Sequence, residues 1–342
     1  GIRRGAGPAG TSRHRHRAHG LAGRCAVTAV TAGSPARRKR GRGASVLRRE
    51  GRSGYALVAP TTVLLAIFYL FPLIETAYYS FTDWNPATPG ALHYEGFSNY
   101  KELFTGGGSS GTYGAALVHT LLFVAVMVPC SMLIGLLLAA LMVKPFRGRA
   151  LYRTLIFTPV IAPIVGSSLI FSYMLSPLGG IVNDVLQVFD IAPINFLQTT
   201  PWAMVTLIGF SVWQQVGYNM ILYSAALTAI PASYLEAATL DGAGAIRRFY
   251  RISFPLVAPT TAFLVVTGIL GALQVFTQVY TLTEGGPLQS TTTAIFWIYQ
   301  QGFEFFHGGL ATAASMLLFA FGMVITLVQL RYLNRRDAAP LS

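Results

Sequence analysis

The sequence predicts an all-α integral membrane protein with six membrane-spanning helices. Three observations predict it. Hydrophobic residues make up 53% of the chain and charged residues only 11%, well under the roughly 25% of an ordinary soluble domain. The apolar residues gather in blocks long enough to cross a bilayer core, which takes about 20 helical residues. The basic residues between those blocks fall on alternate loops, as membrane topology demands.

The six blocks run Ala56–Tyr79, Ala115–Met142, Thr154–Leu175, Trp202–Leu227, Thr260–Leu282 and Leu310–Leu330. Core helices of a soluble protein would not reach this length six times. Pro60, Pro72, Pro129, Pro159 and Pro163 lie in or near the blocks. Each removes a backbone donor and favours a bend there.

Six spans put both termini on one side, and the positive charges say which. Placing the termini in the cytoplasm puts Lys144, Arg147, Arg149 and Arg153 inside, together with Arg247, Arg248, Arg251, Arg331, Arg335 and Arg336. Only Lys101 is left outside, so 24 of 25 basic residues are inside. Without the N-terminal tail the count is still 10 of 11. The opposite loops carry Asp83, Glu95, Glu102, Asp184, Asp190, Glu284 and Glu304, with Trp84, Tyr94 and Tyr100 as interfacial anchors.

The net charge of +13 comes from one place. Residues 1–54 hold 14 Lys/Arg against the single acid Glu50, while the remaining 288 hold 11 basic and 11 acidic side chains and sum to zero. A Gly/Ala/Arg-rich tail over about residues 1–50 is expected to be disordered, having too little apolar surface to offset ordering entropy. Its charge suits anionic lipid at the membrane surface, and no nucleic-acid partner is read from it. The chain opens on Gly1, and Val46 is a candidate start with residues 1–45 upstream of it. The spanning domain is assigned to residues 51–337. Cys25 and Cys130 give no disulfide framework.

The most informative loop is Ile230–Pro259. Pro231 ends the preceding helix, and Ser233 with Glu236 has the spacing of a capping box. A short helix is expected over about Tyr234–Leu240, with Gly242 taking the left-handed turn after it. A second is expected over about Ala245–Ser253, stopping before Pro255. The result would be a compact hairpin between two spans, a knob another protein can grip.

Within that loop, Glu236-Ala237-Ala238, then Asp241-Gly242-Ala243, then Ile252 and Pro255 resemble the EAA motif of ABC importer permeases. The resemblance extends over Tyr55 to Asp337. Leu70-Phe71-Pro72, Phe97-Ser98-Asn99-Tyr100, Thr283-Glu284-Gly285-Gly286-Pro287 and the Gly309–Ser315 segment are similar to the carbohydrate-uptake branch. Within it, the chain resembles the partner typified by the maltose-type F permease and the glycerol-phosphate-type A permease. The resemblance implies the type I importer permease architecture in a bacterial plasma membrane. It also implies a coupling helix in which Glu236, Ala237 and Ala238 dock on an ATPase, Gly242 makes the turn, and Ile252 and Pro255 guide the return to the membrane. The implied partners are a second permease subunit, two ATPase subunits and an extracytoplasmic sugar-binding protein. The implied cargo is a di- or oligosaccharide, with glycerol phosphate or another polyol as the alternative.

Polar side chains inside spans usually face a partner helix or an aqueous path. Spans four and five concentrate them: Gln214, Gln215, Tyr218 and Asn219, then Gln274 and Gln278, with Trp213 and Phe276 beside them. Amides bond hydroxyls and aromatic faces pack on sugar rings, so these are the candidate substrate pathway. Bonding between helices of the bundle is the competing explanation. Gln274 and Gln278 are four apart and so are expected to share one helix face, as are Gln214 and Tyr218. Clear acids or bases deep in a span are lacking, which favours a neutral solute.

The sequence has no G-x-x-x-x-G-K-[ST] phosphate loop, so ATP hydrolysis falls to another polypeptide. It has no H-E-x-x-H motif and no Cys/His cluster, so no metal, cofactor or enzyme activity is assigned. An ion-coupled transporter would call for intramembrane acids or inverted repeats, and neither is evident.

Overall fold

A computed structural model describes residues 57–88, 90, 92–105 and 112–337, with side chains as far as Arg331. The expectations for the basic tail and for Val46 lie outside the described residues. The chain divides after Thr62 into two units, and apart from the first turns of α1 the described helices belong to the second.

Among the described residues the regular elements are all helices, with one isolated β-bridge between Thr82 and Tyr94. Three helices are each long and apolar enough to cross a membrane: α1 (Leu57–Tyr79), α3 (Tyr113–Val143) and the Gly308–Arg331 part of α13 (Gly308–Asp337). Between α1 and α3 lies the short α2 (Ser98–Thr105). The third block is broken, into α4 (Arg149–Ile161) and α5 (Ile164–Met174), bent by 101° at Ala162-Pro163. Pro163 lacks a donor and holds Ala162 extended (ψ 137°), which stops the helix there.

After α6 (Ile181–Val188) comes α7 (Trp202–Thr228), whose 27 residues span about 40 Å at 1.5 Å each. Gln214, Gln215 and Asn219 make it less apolar than the three long spans. Next come α8 (Ala232–Leu240), α9 (Ala245–Leu256) and α10 (Ala258–Leu273), the last two bent by 64°. The fifth block therefore holds two helices, since α11 (Thr277–Leu282) is separate from α10. The short α12 (Ala294–Tyr299) precedes α13.

The main core forms where α3, α7 and α10 meet, around Phe123, Leu207, Phe210, Met220, Tyr223 and Leu264. Two glycines let backbones approach. A Cβ on Gly135 of α3 would lie 2.7 Å from the Asn219 Cβ. One on Gly217 of α7 would lie 2.4 Å from the Ile156 carbonyl of α4. Small residues at such crossings are what helix packing in lipid selects. A second cluster joins α2, α3, α12 and α13 through Leu103, Tyr113, Trp297 and Ala314, with the Tyr113 hydroxyl donating to the Ala314 carbonyl at 3.0 Å. Nearby, the buried Asn99 donates to the carbonyls of Ser80 and Thr82, tying α2 to the end of α1.

Candidate functional site

A cavity of about 270 Å³ lies between α3, α7, the start of α5 and the α10–α11 break. Gln214, Gln215 and Asn219 of α7 line it, as do Gln274, Phe276 and Gln278 at the break. None of its lining residues is charged. Five carboxamides thus converge in the interior of an otherwise apolar bundle.

The break itself is built from backbone. Gln274 closes α10 (φ −99°, ψ 17°) and Phe276 leaves helical space (φ −135°, ψ −61°) before α11 begins. The freed groups are satisfied locally. The amides of Gln274 and Val275 donate to the Gly271 and Ala272 carbonyls, and the Val275 carbonyl accepts from Thr293 Oγ1 at 3.1 Å. Irregular backbone at membrane depth is tolerated where protein or an aqueous cavity surrounds it. Consequently Gln274 and Gln278 do not share one continuous helix face, contrary to the expectation from their spacing. They reach the same cavity from opposite sides of a break.

The two broken spans also meet. Thr281 of α11 donates to Ser168 Oγ of α5 at 2.6 Å, and Ile164, the first residue of α5, lines the cavity. Phe276 is backed by Tyr280 (5.5 Å, stacked) and Tyr299 (5.1 Å), which hold its ring at the wall.

Not every polar residue plays the same part. Asn219 is 3% exposed and its Nδ2 donates to Ser131 Oγ at 3.2 Å. It packs against Gly135, so it binds α7 to α3 as well as facing the cavity. By contrast, no group among the described residues hydrogen-bonds the side-chain carboxamides of Gln214, Gln215, Gln274 or Gln278. Each keeps both a donor and an acceptor for a guest.

Trp213 and Tyr218 do not line the cavity. The Trp213 ring lies against Phe171 and Phe210 at 5.0 and 5.8 Å, and Tyr218 packs on the apolar core. Sequence reasoning passed over Ser131, Ser211, Thr267 and Thr277, which do line it. The first three donate to carbonyls of their own helices, leaving lone pairs to accept from a hydroxyl. Hydroxyls inside apolar spans were the available signal.

The hairpin forms as expected, with altered boundaries. α8 starts at Ala232 behind Pro231 as N-cap, with no side-chain cap. Ser233 and Glu236 are therefore within the helix and make no capping box. Pro231 is pre-set in extended space (ψ 133°) and starts the helix two residues early. At the other end Gly242 has φ +74°. The Ala243 amide donates to the Ala238 carbonyl at 2.9 Å and the Gly242 amide to Thr239 at 3.1 Å. This is a Schellman closure, and it requires a residue that tolerates left-handed backbone.

α9 does not stop before Pro255. A π-turn over Phe249–Ser253, in which the Phe254 amide reaches Phe249, carries the helix on to Leu256. The two arms are tied by Arg248 donating to Thr239. Ala238 is buried and Ile252 half-buried, while Glu236, Ala237, Asp241 and Pro255 are exposed. Leu240 (89%), Ile246 (76%), Tyr250 (66%) and Tyr234 (55%) are largely exposed as well. The hairpin thus displays an unpartnered apolar surface.

Comparison with known proteins agrees with this architecture. The family described as "binding-protein-dependent transport system inner membrane component" matches residues 131–337. The sn-glycerol-3-phosphate transport system permease protein UgpA of Salmonella typhimurium (strain LT2) is 35% identical over 284 residues, covering 82% of this chain and 94% of that one. The UgpA of Escherichia coli (strain UTI89) is 34% identical over the same length. A crystal structure of a bacterial ABC transporter involved in the import of the acidic polysaccharide alginate superposes on 87% of this chain and all of its own, with a TM-score of 0.74 and 25% identity. The chain belongs to the family of binding-protein-dependent inner membrane transport components, and is an ABC importer permease, a transport subunit and not an enzyme.

Proposed function

We propose that this permease carries a neutral polyhydroxylated solute, a di- or oligosaccharide, through the cavity ringed by Gln214, Gln215, Asn219, Gln274 and Gln278. The observation that carries the reading is the set of four glutamine carboxamides without a hydrogen-bond partner among the described residues, in a cavity whose lining is uncharged. A sugar hydroxyl both donates and accepts, and so does a carboxamide, so each amide replaces water bonds that the solute loses on entry. Phe276 supplies an apolar face for a sugar ring. The volume, about 270 Å³, falls just below the roughly 300–1,000 Å³ of small-ligand sites. That suits half of a pathway completed by a second permease subunit.

The hairpin Ala232–Leu256 is the handle for the motor. Glu236, Ala237, Ala238, Asp241, Gly242, Ala243, Ile252 and Pro255 form its docking helix, turn and return. Leu240, Ile246 and Tyr250 supply apolar contact with an ATPase subunit. The termini and the hairpin lie in the cytoplasm, which puts the Lys and Arg residues of the connecting loops on the inner side. An extracytoplasmic binding protein then delivers solute to the opposite loops.

The relatives transporting sn-glycerol-3-phosphate favour a second reading, a phosphorylated polyol. A phosphate calls for Arg, Lys or a cluster of donors, and this chain's share of the wall has no basic side chain. Uptake by the reconstituted complex separates the two. Radiolabelled mono-, di- and oligosaccharides are compared with glycerol phosphate. Uptake of a neutral saccharide with no response to glycerol phosphate is expected. The converse would transfer the assignment to phosphorylated polyols.

A further inference from the structure

The segment joining α5 to the start of α7 carries an apolar face that the transport reading does not use. In α6 and its flanks, Leu178 (89%), Ile181 (63%), Val185 (52%), Val188 (80%) and Phe189 (71%) are exposed. Ile181, Val185 and Val188 stand at i, i+4 and i+7, one stripe of a helix. Asp184 and Gln187, also exposed, flank it.

The opposite side is pinned. Asn183 is completely buried. Its Nδ2 donates to the carbonyls of Ser176 and Ile194 at 2.9 and 3.0 Å, and its Oδ1 accepts from the Ile194 amide at 2.8 Å. Ser176 lies just beyond the end of α5. Gly180 lets the chain fold tightly there, since a Cβ on it would lie 2.3 Å from the Ser176 carbonyl. Asn183 therefore holds α6 against the end of a broken span, with the stripe facing away from its anchor.

We propose that α6 is an interfacial helix whose partner is the lipid surface, with Ile181, Val185 and Val188 inserted among acyl chains. The occupant follows from continuity and charge. The helix that α6 is fastened to belongs to a membrane-spanning block and carries an exposed apolar surface of its own, Val165, Leu169, Ile170 and Tyr173, each about half exposed or more, so the stripe continues a surface at membrane depth. Five large apolar side chains grouped in water would be an association liability. The segment from Leu175 to Pro201 holds Asp184 and Asp190 and no Lys or Arg, so anionic headgroups do not attract it. A free amphipathic helix commonly uses basic residues for that step. Here the covalent tether through α5 replaces them by keeping the helix at the interface. Contact is thus apolar and indifferent to lipid charge.

The test uses the full chain with Cys25 and Cys130 replaced by Ala, reconstituted in phosphatidylcholine vesicles with and without phosphatidylglycerol. Nitroxide labels are placed on single cysteines at Ile181, Val185 and Val188, and on Asp184 and Gln187 for comparison. Oxygen should relax the first three labels several-fold more than a water-soluble nickel chelate does. The ratio should reverse at the other two, and phosphatidylglycerol should leave both results unchanged. Nickel access at all five positions, or exclusion of both reagents from the stripe, would overturn the proposal, the second outcome indicating a protein partner. As an independent check, V185W fluorescence should be quenched by brominated phosphatidylcholine, and an unquenched signal counts against it equally.

Discussion

The cavity and the hairpin are opposites. In the cavity, polar amides of Gln214, Gln215, Gln274 and Gln278 stand inside an apolar bundle. On the hairpin, Leu240, Ile246 and Tyr250 stand exposed on a connecting loop. Each region sets side chains against their surroundings, and each would be stabilised by reversing them. On the proposed reading, the comparison teaches where a transport protein keeps its working surfaces: at places whose chemistry would be completed only by something else, a solute in one case and a motor in the other.

The comparison depends first on the frame that keeps the two regions apart. Gly217 sets the α7–α4 crossing, where a Cβ would meet the Ile156 carbonyl at 2.4 Å and the Phe157 Cα at 2.9 Å. A backbone oxygen cannot move aside as a flexible side chain does. Gly217→Val should therefore eliminate folded protein from the membrane fraction, whereas Gly209→Ala, with nothing near its Cβ, should leave the level unchanged. Normal levels of Gly217→Val would show that α4 is free to shift against α7.

The next largest effect belongs to the hairpin. Leu240→Asp with Ile246→Asp replaces two apolar anchors at roughly 2 kcal/mol each, weakening ATPase docking by on the order of a thousandfold. Copurification of the ATPase and transport should both be lost while membrane insertion persists. In the cavity, Gln214→Leu with Gln274→Leu removes two neutral hydrogen bonds of about 1 kcal/mol each. Uptake should fall by roughly tenfold or more with ATPase copurification intact. The two double variants thus separate the regions in opposite readouts. If both lost the ATPase, the cavity would be part of the docking apparatus and the contrast would fail.

These outcomes bear on what a sequence can disclose. The long apolar stretches of α1, α3 and α13 were legible because lipid allows little else. The five carboxamides were legible for the same reason, as exceptions. The break between α10 and α11 was not. It contains no proline, and the contact that satisfies it is tertiary, with Thr293 donating to the Val275 carbonyl. Trp213 looked like a sugar platform beside Gln214, but on a helix neighbouring residues point in different directions, and its ring turns to Phe171 and Phe210. In the hairpin, Ser233 and Glu236 had capping-box spacing, yet Pro231 started α8 before either could cap it. Local spacing specifies what residues can do, while packing decides which of them do it.

The smallest effect tests whether the hairpin is rigid in its own right. Gly242 has φ +74° and no atom within 4 Å of a Cβ, so substitution there meets backbone strain alone. A non-glycine residue in the left-handed region costs about 1–2 kcal/mol, and Asn tolerates it better than Ala. Gly244 offers the matched control, because it has φ −64° and equally open space. Gly242→Ala should raise amide exchange at Gly242 and Ala243, whose donors close α8, by roughly 5- to 30-fold. Gly242→Asn should do so less, and Gly244→Ala hardly at all. Such a loss is small beside the docking energy, so transport should fall modestly in Gly242→Ala and follow the exchange rates across the three variants. Transport that ignored those rates would mean the ATPase moulds the hairpin on binding, and that the apolar knob is shaped by its partner.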